Sequence, residues 1–508
     1  MKGLINKEMI NLNSTKLQAV MKQKIKQCRE KYLIQIIVLT ILGIILINTL
    51  FVSPIIGRYD NGDFDRLTFY GGLSNLHSTS SAYYFVRPFY LISSPTLYVP
   101  FYIDWVSETI IVKVAVFISM LVNHFGSKLF DIRYLGFVYS IVFLLAVFLI
   151  INFKRFSAAL KLAGGIFIIL FFTDKAYLEY FNSFYGEAGT IVFFFLSIGT
   201  YLNLISKEKP QIKHFIYFFI ASACFLTSKS QELPLLIFML IIYSALFIYY
   251  KDKEQRKCII IASVLVTVLC GAAYLSLTKT MNENNVYQSV FSGILKGSKT
   301  QEKDLEELGV NKKFIVFYNH SSFYDRTGGG NDPMGWEMKK EFYPKVSPVK
   351  VLGFYLNHLD RLWQKVVDSG NNAYAFSLPG TWNFAKGEYT TSKIVNTFRT
   401  SLIKKYPHFY CNIYNFISFS IIYLVIVVFY FIKNKDKVTR LLALMLLFIL
   451  ASGSSQLILP AIGSGHGDFG KHLFLLNLSY DIMEGVAVLW GINCISKLVM
   501  KLSLKSRF

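Results

Sequence analysis

Charged side chains are concentrated in a nine-residue segment, Arg58 to Arg66, which holds three carboxylates and two guanidinium groups. The carboxylates belong to Asp60, Asp63 and Asp65. A carboxylate can serve as a general base toward an attacking hydroxyl, and guanidinium groups bind phosphate oxygens in pairs. The Asn-Gly pair inside the segment also predicts an ordinary solvated turn. The segment follows an apolar run closely, and ionisable groups at membrane depth are usually functional, so a reaction site is favoured.

A second polar segment, Asn182 to Glu187, lies between two later apolar runs. Glu187 immediately precedes an uninterrupted apolar stretch, where a carboxylate must be paired or face water. Asn182, Tyr185 and Glu187 are therefore candidates for binding a substrate. An interfacial anchor flanked by tyrosines is an equally good interpretation of this segment.

Basic side chains occur in two further short loops. Lys229 and Gln231 lie in a tight turn, and Lys471 and His472 end a glycine-rich loop that begins at Gly463. Glycines leave backbone N–H groups free to approach an anion, and the neighbouring cations add to that attraction. Each loop alone is weak evidence, but together they indicate an anion site if they lie on the same side of the membrane.

Other polar residues suggest structural roles. Asp481 and Glu484 lie at i, i+3 spacing in the last apolar run, which predicts an ion pair with another helix. The glycines at 328–330 lack the flanking strand and helix of a phosphate loop and predict a flexible loop. A metal site formed by His466, Asp468 and His472 has little support. The three carboxylates of the first segment would allow a divalent metal, but several basic side chains could neutralise an anion instead, so we expect no metal and no cofactor.

The composition shows which elements must position these side chains. Of the 508 residues 53% are apolar and 17% are charged, and the net charge is +22. Soluble domains average about 25% charged residues, so lipid is a main solvent of this chain. The basic residues lie mostly in short loops between apolar runs, which argues against nucleic acid as a partner. Six cysteines without paired spacing indicate neither disulfides nor zinc.

Apolar runs of about twenty residues predict ten transmembrane helices. The predicted spans are 33–52, 134–152, 160–174, 188–205, 212–228, 233–250, 258–277, 411–432, 439–461 and 473–496. The first run has no small-residue cleavage site and predicts an uncleaved signal anchor.

The distribution of basic residues predicts the orientation of these spans. Placing both termini in the cytoplasm gives every inside segment between three and eight Lys and Arg, whereas the short outside loops 175–187, 229–232 and 462–472 carry one each. The positive-inside rule therefore predicts a multi-pass membrane protein with both termini in the cytoplasm and its candidate site residues outside.

The predicted fold is a mainly α, polytopic membrane protein with a small mixed α/β extracytoplasmic domain. Its expected parts are a basic cytoplasmic N-terminus (1–32), a transmembrane module (33–277), the extracytoplasmic domain (278–410), C-terminal helices (411–496) and a cytoplasmic tail (497–508). The first outer loop, 53–133, contains the apolar stretch Glu108–Val122, interrupted by Lys113. We expect it to be a helix on the membrane surface, and an eleventh span is the alternative.

The chain resembles the GT-C superfamily of membrane glycosyltransferases, and within it the WsfD-type hexose transferases of bacterial surface glycan assembly. The resemblance covers most of the chain. It is carried by the segments Asn61–Arg66, Asn182–Glu187, Ser228–Gln231, Ser292–Leu295 and Gly467–His472.

The resemblance implies that a sugar, expected to be a hexose, passes with inversion from a polyprenyl-phosphate donor to a cell-surface glycan or glycolipid acceptor. Asp63 is the first candidate for the base, with Asp60 and Asp65 as rivals. The candidates for binding the donor phosphate are Arg66, Lys229, Lys471 and His472. The candidates for binding sugar or acceptor are Glu187, Asn182, Tyr185 and Gln231.

Two other classes of protein remain as alternatives. A surface polysaccharide polymerase or ligase also has many spans and a large late outer loop, but its reaction would not require acids directly after the first span. A transporter would show internal repeats and broken helices with polar groups at mid-membrane, and the sequence shows neither clearly.

Overall fold

The computed structural model describes residues 31–76, 84–94, 103–318, 320, 331–374, 380–390, 397–463, 465 and 469–505. Its α-helices are α1 (Lys31–Leu50), α2 (Asp65–Gly71), α3 (Glu108–Val122), α4 (Arg133–Ile151), α5 (Ala158–Phe172), α6 (Lys175–Leu178), α7 (Glu187–Ile205), α8 (Ile212–Leu226), α9 (Leu236–Tyr249), α10 (Lys253–Leu275), α11 (Lys279–Tyr287), α12 (Gln301–Glu307), α13 (Pro348–Asn357), α14 (Leu359–Asn371), α15 (Phe398–Lys405), α16 (Pro407–Tyr410), α17 (Ile413–Lys433), α18 (Lys437–Ser455), α19 (Leu459–Gly463), α20 (Phe469–His472) and α21 (Phe474–Lys505). Shorter 3-10 turns span Glu179–Asn182, Ser230–Leu235, Lys312–Phe317 and Thr381–Asn383, and π-helical turns span Gln288–Ile294 and Met338–Phe342.

Helices occupy all ten predicted span positions, which confirms the mainly α transmembrane fold. Eight helical segments of the described residues are long and apolar enough to cross a membrane. They are Lys31–Leu50, Arg133–Ile151, Glu187–Ile205, Ser230–Tyr249, Lys253–Leu275, Ile413–Lys433, Lys437–Ser455 and Phe474–Leu502. The other two predicted spans coincide with α5 and α8, which are apolar helices of 15 residues each.

Polar side chains begin several of these helices. Ser157, Asp252, Asn412 and Asp436 each accept a hydrogen bond from a backbone N–H of the first turn that follows. Such caps satisfy N–H groups that have no partner within the helix. Each cap stands one residue before its helix, so these polar side chains mark where the helices start.

The centre of the bundle is α7, which packs against α4 and α8. Most of α7 is buried, whereas α10 and α17 expose apolar side chains along most of their length. A helix that is apolar all round is stable either in a protein interior or in lipid. The burial therefore separates an inner helix from helices that face the membrane.

The strands lie in a different part of the chain from the one expected. A three-stranded antiparallel sheet forms from β1 (Leu73–Asn75), β2 (Phe89–Ile92) and β3 (Leu129–Asp131), in the order β1-β2-β3. All three belong to the first loop, whereas the described residues of 278–410 form only helices and turns. Strands of three or four residues are too short to show an alternating pattern in the sequence.

The loops that follow α1, α5, α8, α10 and α18 meet at one end of the bundle, here called the loop-rich end. The carbonyls of Leu50 and Ile56 accept hydrogen bonds from Asn182, and the Ser107 N–H donates to the carbonyl of Thr227. Two further apolar clusters lie within residues 286–355 and between α14, α17 and α21. The loop-rich end therefore holds every described segment that carries a candidate site residue.

Candidate functional site

The turn before α2 is organised by Asp60. Its carboxylate, which is almost fully buried, accepts hydrogen bonds from the N–H groups of Gly62 at 2.8 Å and Phe64 at 3.4 Å. Gly62 has φ +104°, a conformation that side chains disfavour. Burial raises the pKa of Asp60, while the two N–H donors and Arg87 at 3.7 Å oppose that shift. Asp60 therefore shapes the turn.

Asp63 lies on the open side of the same turn and forms an ion pair with Lys471. Its side chain is 58% exposed, whereas that of Lys471 is 11% exposed. The partial burial of Asp63 would raise its pKa, but Lys471 and the nearby Arg66 outweigh this effect, so the pKa lies below its usual value. Asp65 is the exposed first residue of α2, where the helix dipole favours a negative charge.

A second ion pair joins Lys229 to Glu187 at 2.8 Å, with Glu187 buried at the start of α7. The Lys229 Nζ also lies 3.5 Å from the carbonyl oxygen of Lys471. A Cβ on Gly186 would come within 2.9 Å of Cγ of Lys229, so glycine lets this side chain cross the start of α7. The structure thus brings together two lysines that the sequence placed in separate loops.

Tyr185 lies beneath this charged group. Lys471 Nζ is 4.4 Å from the centre of its ring, an arrangement in which the ring attracts the cation. The hydroxyl of Tyr185 accepts a hydrogen bond from the N–H of Asn61 at 3.4 Å, and its ring packs edge-on against Phe64. Tyr185 therefore contacts both the first loop and the last.

Gln231 holds the residue that follows Lys471. Its amide nitrogen donates to the carbonyl of His472 at 2.8 Å and also to Gln456, and its amide oxygen is 3.0 Å from Nδ1 of His472. The same amide group thus contacts the backbone and the ring of His472. In this geometry Gln231 positions the last loop, and its predicted contact with substrate remains a prediction.

Asn182 is engaged in packing. Its amide nitrogen donates to the carbonyls of Leu50 at 3.0 Å and Ile56 at 2.9 Å, and the residue is fully buried. A Cβ on Gly136 would clash with its amide oxygen. This arrangement favours a role in joining α1, α4 and the second polar segment over contact with a substrate.

Two further ionisable side chains, Arg66 and Glu108, have buried polar atoms at this end of the bundle. The Nε of Arg66 and both carboxylate oxygens of Glu108 are buried, and none has a hydrogen-bond partner among the described residues. Burial, followed by the proximity of Glu232, raises the pKa of Glu108 well above its usual value. The positive potential of Arg66 therefore extends toward both Asp63 and Glu108.

Glu179, which pairs with Arg58, is a site residue that no sequence pattern marks. Burial raises the pKa of Glu179 to about 7, against the opposing effect of Arg58. The amide of Asn383 donates to this carboxylate at 2.6 Å and to the carbonyl of Gly57 at 2.9 Å. The partners lie more than a hundred positions apart, so no local pattern could have revealed them.

Asp481 has the predicted structural role. Its carboxylate is fully buried and accepts hydrogen bonds from Arg399 at 2.5 Å, Tyr177 at 2.6 Å and Tyr374 at 2.9 Å. Arg399 belongs to α15, so the predicted ion pair with another helix is confirmed. Glu484 lies one turn further along α21 and faces the Tyr410 hydroxyl at 3.4 Å.

Within the described ranges, no three His, Cys, Asp or Glu side chains are grouped so that they could hold a metal ion. His466, Asp468 and the glycines at 328–330 lie outside the described residues. The prediction that the protein uses no metal or cofactor therefore remains a prediction.

The arrangement has a clear chemical character. The solvent-exposed carboxylate of Asp63 lies beside Lys471 and near Arg66. Lys229, which pairs with the buried Glu187, lies next to Lys471. Such a group of cations suits a phosphate, and the carboxylate suits a proton acceptor next to it. The described geometry thus places a proton acceptor next to cations that suit an anion.

The fold and this group of residues define a multi-pass helical membrane protein with a charged site at one end of its helix bundle. The chain belongs to the family described as the YfdI N-terminal transmembrane domain, which matches residues 21–507. A comparison with curated proteins finds no match.

Among solved structures, the chain is similar to two crystal structures of the Archaeoglobus fulgidus oligosaccharyltransferase. One is tethered by a disulfide to an acceptor peptide with the NVT sequon, with 13% identity and a TM-score of 0.39, covering 91% of this chain and 50% of that one. The other is the apo form, with 12% identity and a TM-score of 0.40, covering 92% of this chain and 52% of that one. The chain thus spans about half the length of these structures, and so distant a similarity carries no conclusion about function.

Proposed function

We propose that the protein is an inverting glycosyltransferase that acts at the extracytoplasmic face of the bacterial plasma membrane. The proposed donor is a sugar, expected to be a hexose, on a polyprenyl phosphate, and the proposed acceptor is a cell-surface glycan or glycolipid. The observation that carries this proposal is the exposed carboxylate of Asp63 beside Lys471, with Lys229 next to them at the ends of the membrane helices.

In the proposed reaction, an acceptor hydroxyl attacks the anomeric carbon of the donor. A new carbon–oxygen bond forms, the bond between that carbon and the phosphate oxygen breaks, and polyprenyl phosphate leaves with the electron pair. Asp63 takes the proton of the attacking hydroxyl. Lys471, Lys229, Arg66 and His472 stabilise the negative charge on the departing phosphate.

The ion pair between Asp63 and Lys471 suggests how donor binding and proton removal are coupled. In the structure described here, Lys471 neutralises the carboxylate that would act as the base. A donor phosphate would compete for this lysine because it offers a second anion at the same place. When Lys471 turns to the phosphate, Asp63 loses its cation and its pKa rises toward the usual value, which makes it a stronger base.

The first test is sugar transfer by purified full-length protein in lipid nanodiscs, supplied with a panel of polyprenyl-phosphate sugars and a glycan acceptor. We expect one donor to be consumed with release of polyprenyl phosphate. Binding of polyprenyl phosphate alone should weaken about tenfold or more in Lys229→Ala and in Lys471→Ala, since each loses a charge-assisted contact worth ~1.5–3 kcal/mol.

Lys435→Ala, a change in the loop between α17 and α18, is the matched control for a lost positive charge. If neither site variant binds polyprenyl phosphate differently from the wild type, the two loops do not hold a phosphate. The proposal would then be wrong.

A further inference from the structure

Five large apolar side chains form an exposed stripe along α13 and α14. They are Val349, Leu352, Leu356, Leu359 and Trp363, and they are between 38% and 77% exposed. Within α13 the spacing of Val349, Leu352 and Leu356 places these three side chains on one face, and Leu359 and Trp363 lie one turn apart on α14. The opposite face of α13 packs into the apolar cluster of residues 286–355, so both faces of this helix are apolar.

The stripe leads to the end of a membrane helix. The side-chain oxygen of Asn371, the last residue of α14, accepts a hydrogen bond from the N–H of Ile413, the first residue of α17, at 3.1 Å. A Cβ on Gly370 would come within 2.5 Å of Ile413, so the two helices approach closely. The end of α14 thus meets the start of α17, a helix that exposes apolar side chains along its length.

Residues around the start of α17 are those typical of a membrane boundary. Tyr406, Phe409 and Tyr414 are between 47% and 63% exposed. Lys404 and Lys405 are exposed beside them. Aromatic rings concentrate at the level of lipid headgroups, and lysines there attract anionic lipids. The start of α17 therefore lies at the headgroup level, and α14 meets it there.

We propose that the α13–α14 hairpin lies on the membrane, with its apolar stripe inserted at the boundary between headgroups and acyl chains. Lipid is favoured over a partner helix because the chain changes direction at His358, where φ is −126° and ψ is 66°. A straight helix could follow only half of such a stripe, whereas lipid adapts to its shape. The proposal does not depend on the reaction that the protein performs.

The inference is tested by attaching a spin label to the full-length protein in nanodiscs of phosphatidylethanolamine and phosphatidylglycerol. All six native cysteines are replaced by serine, and single cysteines are introduced as Leu356→Cys or Leu359→Cys. The matched controls are Asn357→Cys and Gln364→Cys, which are exposed neighbours outside the stripe. The label's collisions with oxygen, which concentrates in lipid, are compared with those of a water-soluble nickel chelate.

We expect the two stripe positions to show an oxygen-to-nickel collision ratio several-fold higher than the two controls. Equal ratios at all four positions would place the hairpin in water and overturn the inference. Protection of the stripe from both reagents would overturn it as well, since that result indicates a protein partner.

A second measurement keeps all native cysteines and therefore does not depend on the folding of the cysteine-free protein. Lipids with a quencher near the headgroup should lower tryptophan emission in the wild type, and Trp363→Phe should remove part of that quenching. Trp336→Phe is the control, because Trp336 is 70% exposed and lies outside the stripe. If Trp363→Phe leaves the quenched fraction unchanged, the hairpin does not lie in lipid.

Discussion

Replacing Asp63 by Asn should have opposite effects on donor binding and on turnover. Asparagine keeps the shape of the side chain but removes both the base and the partner of Lys471. Loss of a general base lowers turnover by ~10²–10⁴. In this variant Lys471 has no ion pair to break before it contacts the phosphate, so polyprenyl phosphate should bind more tightly. A turn-forming carboxylate would show neither effect.

The gain in binding follows from the exposure of the ion pair. Asp63 is 58% exposed, so solvent screens its attraction to Lys471, and exposed pairs contribute ~0.2–1 kcal/mol. Removing that competition should tighten phosphate binding by up to about fivefold. Lys471→Gln loses a charge-assisted contact instead, worth ~1.5–3 kcal/mol, and should weaken binding roughly tenfold to a hundredfold.

The double variant isolates the coupling between the two residues. In the Lys471→Gln background, Asp63→Asn should no longer tighten binding, since the lysine that the carboxylate competes for is absent. Asp65→Asn removes the same charge two residues away and is the control for a general electrostatic effect. The assays are titration of polyprenyl phosphate and sugar transfer per folded molecule.

Three results would refute this reasoning about Asp63. Wild-type turnover in Asp63→Asn would exclude it as the base. Equal tightening in Asp63→Asn and Asp65→Asn would reduce the effect to net charge. A loss of turnover confined to Asp60→Asn or Asp65→Asn would move the base to that residue.

Three further predictions concern stability, pH and orientation. Asp60→Ala removes the acceptor of two backbone N–H groups, so it should cost ~1–3 kcal/mol of stability in denaturant titration and leave turnover of the folded fraction nearly unchanged. The pKa of Asp63 is lower in the folded protein than in the unfolded chain, so the ion pair stabilises the protein at any pH above the pKa of the unfolded chain. This stabilisation is lost as the pH falls through the pKa of the folded protein. For the same reason, kcat/KM of the wild type should fall on the acid side only at a pH below the usual pKa range of Asp, and this fall should move to higher pH in Lys471→Gln. If it does not move, the group that titrates is not Asp63. A reporter fused at Lys435 should indicate cytoplasm and one inserted at Gly329 the outside, and the reverse at either position would overturn the predicted orientation.

The positions of the membrane helices could be predicted from the sequence because long apolar runs satisfy their backbone only as helices. An even number of predicted spans separates the loops of Lys229 and Lys471, so the sequence places both loops on the same side of the membrane. This placement predicts that the two lysines belong to one site. The number of spans does not show which side chains are in contact. The pairing of Lys471 with Asp63 therefore appeared only in the structure.

The amide side chains were the hardest to predict. Asn182 and Gln231 looked available for a substrate because they are polar and lie in loops. In the structure their amides contact backbone carbonyls of other segments, which the sequence does not identify. The strands of the first loop were hard to locate for a related reason, since their pairing depends on partners up to 42 positions away, between Phe89 and Asp131.

The distance along the chain between Asp63 and Lys471 has a consequence for biosynthesis. The two residues are separated by 408 positions, which ribosomes cover in roughly 20–80 s. During that interval the first loop has already been made, but its carboxylate still lacks its lysine. A nascent chain therefore cannot complete its charged site until its last loop is synthesised, so premature termination yields a membrane-inserted fragment without the site.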